Sequence, residues 1–218
     1  VLFVPTAFVG GGRFWWDRLF LALEATTAPE TESPLGRLPL RAPAERAAAF
    51  DALADYLRQH PSFEHGRAEV EALCESLAPG SGSGERATLD WDELRALARQ
   101  GATIAAHSHT HPILAHIPLE QARREIRQSQ ALIEREIGSA LPILAYPDGR
   151  PHALNAALPL LLREEGFVAA FTMTNRCAHL QRDPSLQLPR VVDSRRYTLE
   201  QFHLFLRPVH QKWTQLKR

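Results

Sequence analysis

The chain has 218 residues, of which 44% are hydrophobic and 23% are charged, and its formal net charge at pH 7 is zero. This length and composition predict a single globular domain over residues 1–218, and the balanced charge argues against a nucleic-acid groove or a surface for anionic membranes. No apolar run approaches the roughly 20 residues of a transmembrane helix, and two cysteines, Cys74 and Cys177, are too few for a disulfide framework.

The chain opens on an apolar run. Residues 1–4 predict a buried strand that ends at Pro5, and this strand has no lead-in, the only methionine being Met173. We therefore expect an internal start, with one or more N-terminal strands missing. The first residues have neither the basic start nor the cleavage site of a signal peptide, which leaves both the cytoplasm and the cell envelope open.

Residues 20–85 are interpreted as a helical insertion, to which the sequence assigns no chemistry of its own. It is approached by a helix that opens at residues 14–20, where the adjacent Trp15 and Trp16 either pack in the core or stack on sugar rings. The other predicted parts are a loop at 26–43, helices at 44–60 and 67–77, and a Gly-Ser linker at 78–84.

From residue 90 onward, predicted strands and helices alternate, which indicates parallel βαβ units. Asp90 and Glu93 have the spacing of a capping box and open a helix that Gly101 ends. Leu119 belongs to the apolar stripe of the next helix. The remaining predicted elements are strands at 103–106, 143–146, 167–172 and 191–192, and helices at 118–138, 154–165 and 199–206.

Three alternating histidines, His107, His109 and His111, follow the strand at 103–106 directly. The carboxyl ends of parallel strands are where α/β folds place their chemistry. A single turn after the strand would bring His107 and His111 to one side, within reach of one ion, while His109 would point elsewhere in an extended segment. Neutral imidazoles suit Zn²⁺, Co²⁺ or Ni²⁺. The alternative is chance clustering among 10 histidines.

The run His107-Ser108-His109-Thr110-His111 resembles the His-Ser/Thr-x-x-His motif of the polysaccharide deacetylases, the NodB-homology or carbohydrate esterase family 4 group. The block at 145–150 and the stretch at 188–191 follow in the order that the family shows. The resemblance implies an α/β fold, a distorted (β/α) barrel of the NodB type. It also implies hydrolysis of N-acetyl groups on a glycan by metal-activated water, with zinc the favoured ion.

The resemblance implies roles for particular residues of this chain. His107 and His111 match the metal-binding histidines, and the backbone N–H of Asp148, next to Pro147, matches an oxyanion donor. Three further side chains are predicted to bind substrate: Tyr146, Arg150 and Trp15.

The sequence departs from the family pattern in three places. The family takes a metal ligand and a base from an Asp-Asp motif on its first strand, and the chain holds no Asp-Asp pair. The absence of this motif fits either a chain that lacks its first strand or a degenerate member of the family. The Arg-x-Pro-Tyr motif reads Ala145-Tyr146-Pro147-Asp148, so Arg150 either replaces the arginine or belongs to an Asp-Gly turn. The Leu-x-His motif that supplies the acid is not evident.

Proton transfer is therefore not assigned to His152, His179 or His203. Asp193 follows the strand at 191–192 and could face the site, but a surface turn is the favoured interpretation. Two functions follow from the sequence. One is a metal-dependent deacetylase acting on an N-acetylated glycan. The other is an inactive relative that binds a glycan or a partner. Without the family aspartates, we expect weak metal binding and little activity from these 218 residues.

Overall fold

Six strands and six α-helices make up the described part of the chain, residues 1–79 and 88–191 with Thr198 and Glu200, in a computed structural model. In chain order they are β1 (Leu2–Val4), α1 (Trp15–Ala25), β2 (Glu30–Ser33), β3 (Gly36–Pro39), α2 (Pro43–Gln59), α3 (Phe63–Leu77), α4 (Trp91–Arg99), β4 (Ile104–Ala106), α5 (Leu119–Ile137), β5 (Ile143–Ala145), α6 (Ala157–Glu164) and β6 (Ala169–Phe171). None of these helices is long and apolar enough to cross a membrane.

Four short parallel strands form the sheet that carries the site, in the order β1-β4-β5-β6. Val4 pairs with Ala106, Ala106 with Leu144, and Ala145 with Phe171. Since the strands are parallel, the segments that follow β1, β4, β5 and β6 all leave the sheet at the same edge. The predicted α/β class with parallel βαβ units is confirmed. Within the described residues, no pairing closes the sheet into a barrel.

Helices α4, α5 and α6 cover the sheet because their apolar stripes face it. Ile126 and Ile133 of α5, Leu94 of α4 and Leu158 of α6 are buried in one cluster with the strand residues. The predicted capping box opens α4: Asp90 Oδ1 accepts from the Glu93 N–H at 2.9 Å, and Glu93 Oε2 accepts from the Asp90 N–H at 2.8 Å.

A second apolar cluster joins α1 to the predicted insertion. It buries residues of α1, α2 and α3, among them Leu19, Leu53 and Val70. A small third cluster joins this part to the loops of the sheet through Phe63, Ile113 and neighbouring side chains. The insertion therefore packs on the edge where the strands end, and the assignment of residues 1–218 to one domain stays a prediction.

Several predicted boundaries were wrong. The loop predicted at 26–43 contains the antiparallel pair β2 and β3, whose turn is closed by the Ser33 hydroxyl, which donates to the Gly36 carbonyl at 2.7 Å. Helix α3 begins at Phe63, ahead of residue 67, because Ser62 caps it. Helix α6 begins at Ala157, three residues late, because the Asn155 side chain accepts from the N–H groups of that first turn.

Leu119 does not join the apolar stripe of α5, since it lies in the first turn of the helix and is 43% exposed. Some predictions lie outside the described residues: most of the linker at 78–84, the second half of the strand at 191–192, Asp193, and the helix at 199–206 with His203.

Candidate functional site

A cleft of about 450 Å³ opens at the carboxyl ends of β4, β5 and β6. Its floor holds His107 and His111, which follow β4, and its rim holds Asp148 and Arg150, which follow β5. One wall comes from α1, α2 and α3, so the insertion supplies part of the cleft. The structure thus brings together the side chains of His107, His111, Tyr146, Asp148, Arg150 and Trp15. Pro147 is not among the lining residues.

A cavity of about 500 Å³ lies at the opposite edge of the sheet, where β4 begins at Thr103 and Ile104. No histidine, cysteine or carboxylate belongs to the described residues that line it. Because catalytic groups in parallel α/β folds gather at the carboxyl ends of strands, the histidine cleft is the stronger candidate.

The imidazoles of His107 and His111 are in edge-to-face contact, with ring centroids 4.8 Å apart and an angle of 83° between the ring planes. His107 Nδ1 lies 2.7 Å from the Ala145 carbonyl oxygen, which can only accept, so this nitrogen carries the proton and Nε2 is free of one. Burial lowers the pKa of His107 to about 4 and that of His111 to about 3, the second also through the neighbouring His107. Both rings are therefore neutral at pH 7, the state that binds a metal.

Two residues after β4 adopt a left-handed backbone without being glycine: Ser108 at φ 63° and His111 at φ 61°. The Ser108 hydroxyl is fully buried and accepts from the His111 N–H at 3.1 Å. This turn carries the His111 ring back over His107. The segment is therefore curled, where the sequence suggested an extended path for placing His109.

The carboxylate of Glu125, on α5, accepts hydrogen bonds from the curled segment that follows β4. Its Oε2 accepts from the N–H groups of His109 at 2.8 Å and Thr110 at 2.7 Å, and its Oε1 accepts from the Thr110 hydroxyl at 2.7 Å. Sequence analysis missed this residue. His109 itself is not among the residues that line the cleft, although the segment is curled and not extended, and its Nδ1 lies 2.9 Å from the Thr6 hydroxyl.

The two histidines fit a divalent ion only in part. Neutral, nearly perpendicular imidazoles with a free Nε2 on His107 suit Zn²⁺, but catalytic zinc usually takes three protein ligands. Among the described residues no His, Cys, Asp or Glu side chain completes a group of three that could hold a metal.

The Asp148 side chain is buried on the rim, with 9% of its surface exposed. Its Oδ2 lies 3.3 Å from His152 Nε2. Arg150 Nε lies 3.2 Å from Oδ1 but out of hydrogen-bonding alignment, so Oδ1 has no hydrogen-bond partner in the described part of the chain. Gly149 follows at φ 65°, where an added Cβ would lie 3.0 Å from the Met173 nitrogen, so only glycine fits.

Tyr146 and Trp15 line the cleft through their rings. The Tyr146 hydroxyl donates to the Leu186 carbonyl at 2.9 Å, and burial raises the pKa of this phenol above its usual range. Trp15 lies edge-on to Trp16, with ring centroids 5.3 Å apart, and Trp16 in turn lies 5.0 Å from the His111 ring. The aromatic side chain beside the histidines is thus Trp16, whereas the sequence analysis, which weighed both tryptophans for stacking, chose Trp15 as the binding residue.

The family model described as polysaccharide deacetylase matches residues 48–175, a span that includes both histidines and the Asp148 loop. The comparison with curated proteins gave no match. Two solved structures are similar in fold. The Streptococcus pyogenes deacetylase PplD in complex with acetate has a TM-score of 0.52 and 18% identity, over 57% of this chain and 54% of that one.

The putative polysaccharide deacetylase BA0330 from Bacillus anthracis has a TM-score of 0.50 and 16% identity, over 73% of this chain and 61% of that one. The chain therefore spans between 54% and 61% of the length of these two proteins. At this identity the likeness shows the fold, and it agrees with the predicted α/β fold of the NodB type.

Replacing Glu125 by Ala should lower the free energy of unfolding by about 2–4 kcal/mol, because two N–H groups and a hydroxyl lose a buried acceptor together. Urea unfolding of the chain measures this loss. Glu134→Ala, an exposed position on the same helix, is the matched control and should change stability by less than about 0.5 kcal/mol. Equal losses in the two variants would contradict the role given to Glu125.

The free energy of unfolding should decrease as the pH is lowered from about 7 to about 5. In the unfolded chain His107 and His111 become protonated near pH 6.5, whereas in the folded chain they do so only near pH 4 and pH 3. Each histidine should contribute on the order of 1–2 kcal/mol to this loss. Urea titrations in a chelating buffer measure it. The double variant His107→Gln with His111→Gln should show a shallower pH slope, whereas exposed His65→Gln should keep the original one.

Proposed function

Because the chain belongs to the polysaccharide deacetylase family, we propose that it removes acetyl groups from the N-acetylated sugars of a glycan by hydrolysis of the amide. The observation that supports this most is the pair of half-buried, neutral imidazoles, His107 and His111, in an aromatic-walled cleft. The cleft, at about 450 Å³, is within the size range of pockets that bind small ligands such as a sugar unit.

We propose that His107 and His111 hold a divalent ion, zinc before cobalt or nickel. Such an ion, when bound, lowers the pKa of a water molecule and polarises the amide carbonyl. The Ala145 carbonyl fixes the tautomer of His107 and leaves its Nε2 without a proton, which is the outer contact that such a ligand needs. Hydrolysis of an amide further requires a proton acceptor and a donor to the developing oxyanion.

The Asp148 loop is proposed to supply both of these. Its backbone N–H is the proposed oxyanion donor, held by the left-handed turn at φ 58° and by Pro147 before it. Its carboxylate is the one acidic side chain among the described residues that line the cleft, and Oδ1 is free of hydrogen bonds there. Oδ1 is therefore the proposed proton acceptor. Tyr146, Trp15 and Arg150 are proposed to contact the sugar.

Zinc binding by the purified chain tests the metal site without relying on turnover. His107→Ala and His111→Ala should each weaken zinc binding by more than the roughly 10–100-fold that loss of an outer contact costs. Calorimetric titration, with elemental analysis of the dialysed protein, measures this. His65→Ala, an exposed histidine on α3, should bind as the unchanged chain does. Unchanged binding in both cleft variants would remove the histidine pair as the metal site.

Asp148→Asn separates the two roles of Asp148, because it keeps the backbone N–H and tolerates a left-handed backbone but cannot accept a proton. We expect acetate release from N-acetylglucosamine oligomers to fall by about 10²–10⁴-fold, the usual contribution of a general base. Arg124→Gln, exposed on α5, is the control. Turnover that survives in Asp148→Asn would leave only the backbone role.

A second function, an inactive barrel that binds a glycan or a partner, is favoured by two observations. The described residues supply two ligands where three are usual, and Ala145 stands where the family has an arginine. Glycan binding without acetate release, at saturating zinc, would support this second function against the first.

A further inference from the structure

The charge of the cleft is unbalanced. Three arginines line it, Arg58, Arg150 and Arg190, against a single carboxylate, Asp148, among the described residues. The whole chain has a formal net charge of zero, so this excess is local. Two of the arginines are compensated: Arg58 Nη1 lies 2.8 Å from the Asp55 carboxylate and Arg150 Nε lies 3.2 Å from that of Asp148.

Arg190 is the exception. No carboxylate lies within ion-pairing distance of it in the part of the chain that the structure describes. Its Nε donates to the Thr172 carbonyl at 3.1 Å, and its guanidinium carbon lies 5.9 Å from the centre of the Phe3 ring. These contacts orient the guanidinium, and no residue that the structure describes accepts a hydrogen bond from its Nη1 or Nη2.

The partial burial of Arg190 would strengthen its interaction with an anionic hydrogen-bond acceptor. The residue is partly buried, and burial lowers the pKa of its guanidinium, although an arginine stays charged. A buried charge without a partner is costly, so an anion that reaches it gains more than it would at the surface. Arg190 also lies close to the site of chemistry, since its charge contributes to lowering the pKa of His107.

We propose that Arg190 is an anion-binding residue of the cleft, and that the N-acetylated sugar it receives carries a carboxylate or a phosphate. The planar fork of a guanidinium matches both groups by paired hydrogen bonds. The aromatic wall at Trp16 faces the same space and offers a ring for the sugar face. This inference rests on the proposed function and narrows its substrate to acidic glycans.

The test compares binding of matched acidic and neutral probes by calorimetry, at low salt and with a chelator present to exclude metal effects. A hyaluronan tetrasaccharide is set against its carboxyl-reduced form, and N-acetylglucosamine 1-phosphate against methyl N-acetylglucosaminide. The unchanged chain should bind at least one acidic probe at least about tenfold more tightly than its neutral match. The pair that shows the preference tells carboxylate from phosphate.

Arg190→Gln should bind the acidic and neutral probes equally, and Arg190→Lys should keep only a small preference, because it retains the charge and loses the fork. Arg124→Gln, exposed on α5, should keep the full preference. Thermal unfolding checks that each variant is folded. If Arg190→Gln does not fold, the binding data for Arg190→Lys test the proposal. Equal affinities in the unchanged chain, or a full preference in Arg190→Lys, would overturn the proposal.

Failure of this inference and failure of the proposed function give different results. Acetate release from neutral oligomers without any preference for acidic probes would keep the deacetylase and remove the anion site. A preference for acidic probes that depends on Arg190, with no acetate release at saturating zinc, would keep the anion site and remove the deacetylase.

Discussion

The three hydrogen bonds that Glu125 accepts from the segment after β4 are the constraint on which the site depends. That segment bends back through two left-handed residues, Ser108 and His111, and such a conformation costs on the order of 1–3 kcal/mol for a residue other than glycine. The carboxylate and the buried Ser108 hydroxyl offset this cost. As a result, the ring of His111 lies over that of His107, and His109 turns to Thr6 and away from the cleft.

The elements that carry the site could largely be predicted, because they depend on local sequence patterns. A capping box, short apolar strands and a histidine spacing of four residues each depend on neighbours in sequence, and the structure shows these elements where expected. Glu125 was missed because it resembles the many charges of α5. Its position gives a signal, however: it lies three residues after Ala122 and four before Ser129, on the buried face of the helix. A glutamate within an apolar stripe needs a buried partner.

Other features could not be read from the sequence because they depend on contacts between distant segments. Arg190 becomes part of the cleft only when β6 and the chain after it come to lie beside β5, and its distance from the carboxylates of the described residues depends on that packing. The contribution of the insertion to the cleft could not be predicted from sequence for the same reason. Its sequence carries no motif, yet α2 brings Arg58 to the cleft, and α1, which leads into the insertion, brings Trp16 to within 5.0 Å of His111. The scaffold fixes the histidines, and the insertion shapes what reaches them.

Among the described residues, the two-histidine ligand set and the guanidinium of Arg190 without an ion-pair partner have one electrostatic cause. The described cleft is poor in negative charge, since its only carboxylate, Asp148, already lies beside Arg150 and His152. A divalent ion held by two neutral imidazoles would add two positive charges close to Arg190. Charges of one sign repel, so an anion placed between such an ion and this arginine would favour binding of both. An acidic substrate meets that requirement at the moment of binding, and a carboxylate ligand meets it permanently. Under the first arrangement, which is the one proposed for Arg190, the charge of the glycan contributes to its selection by the cleft.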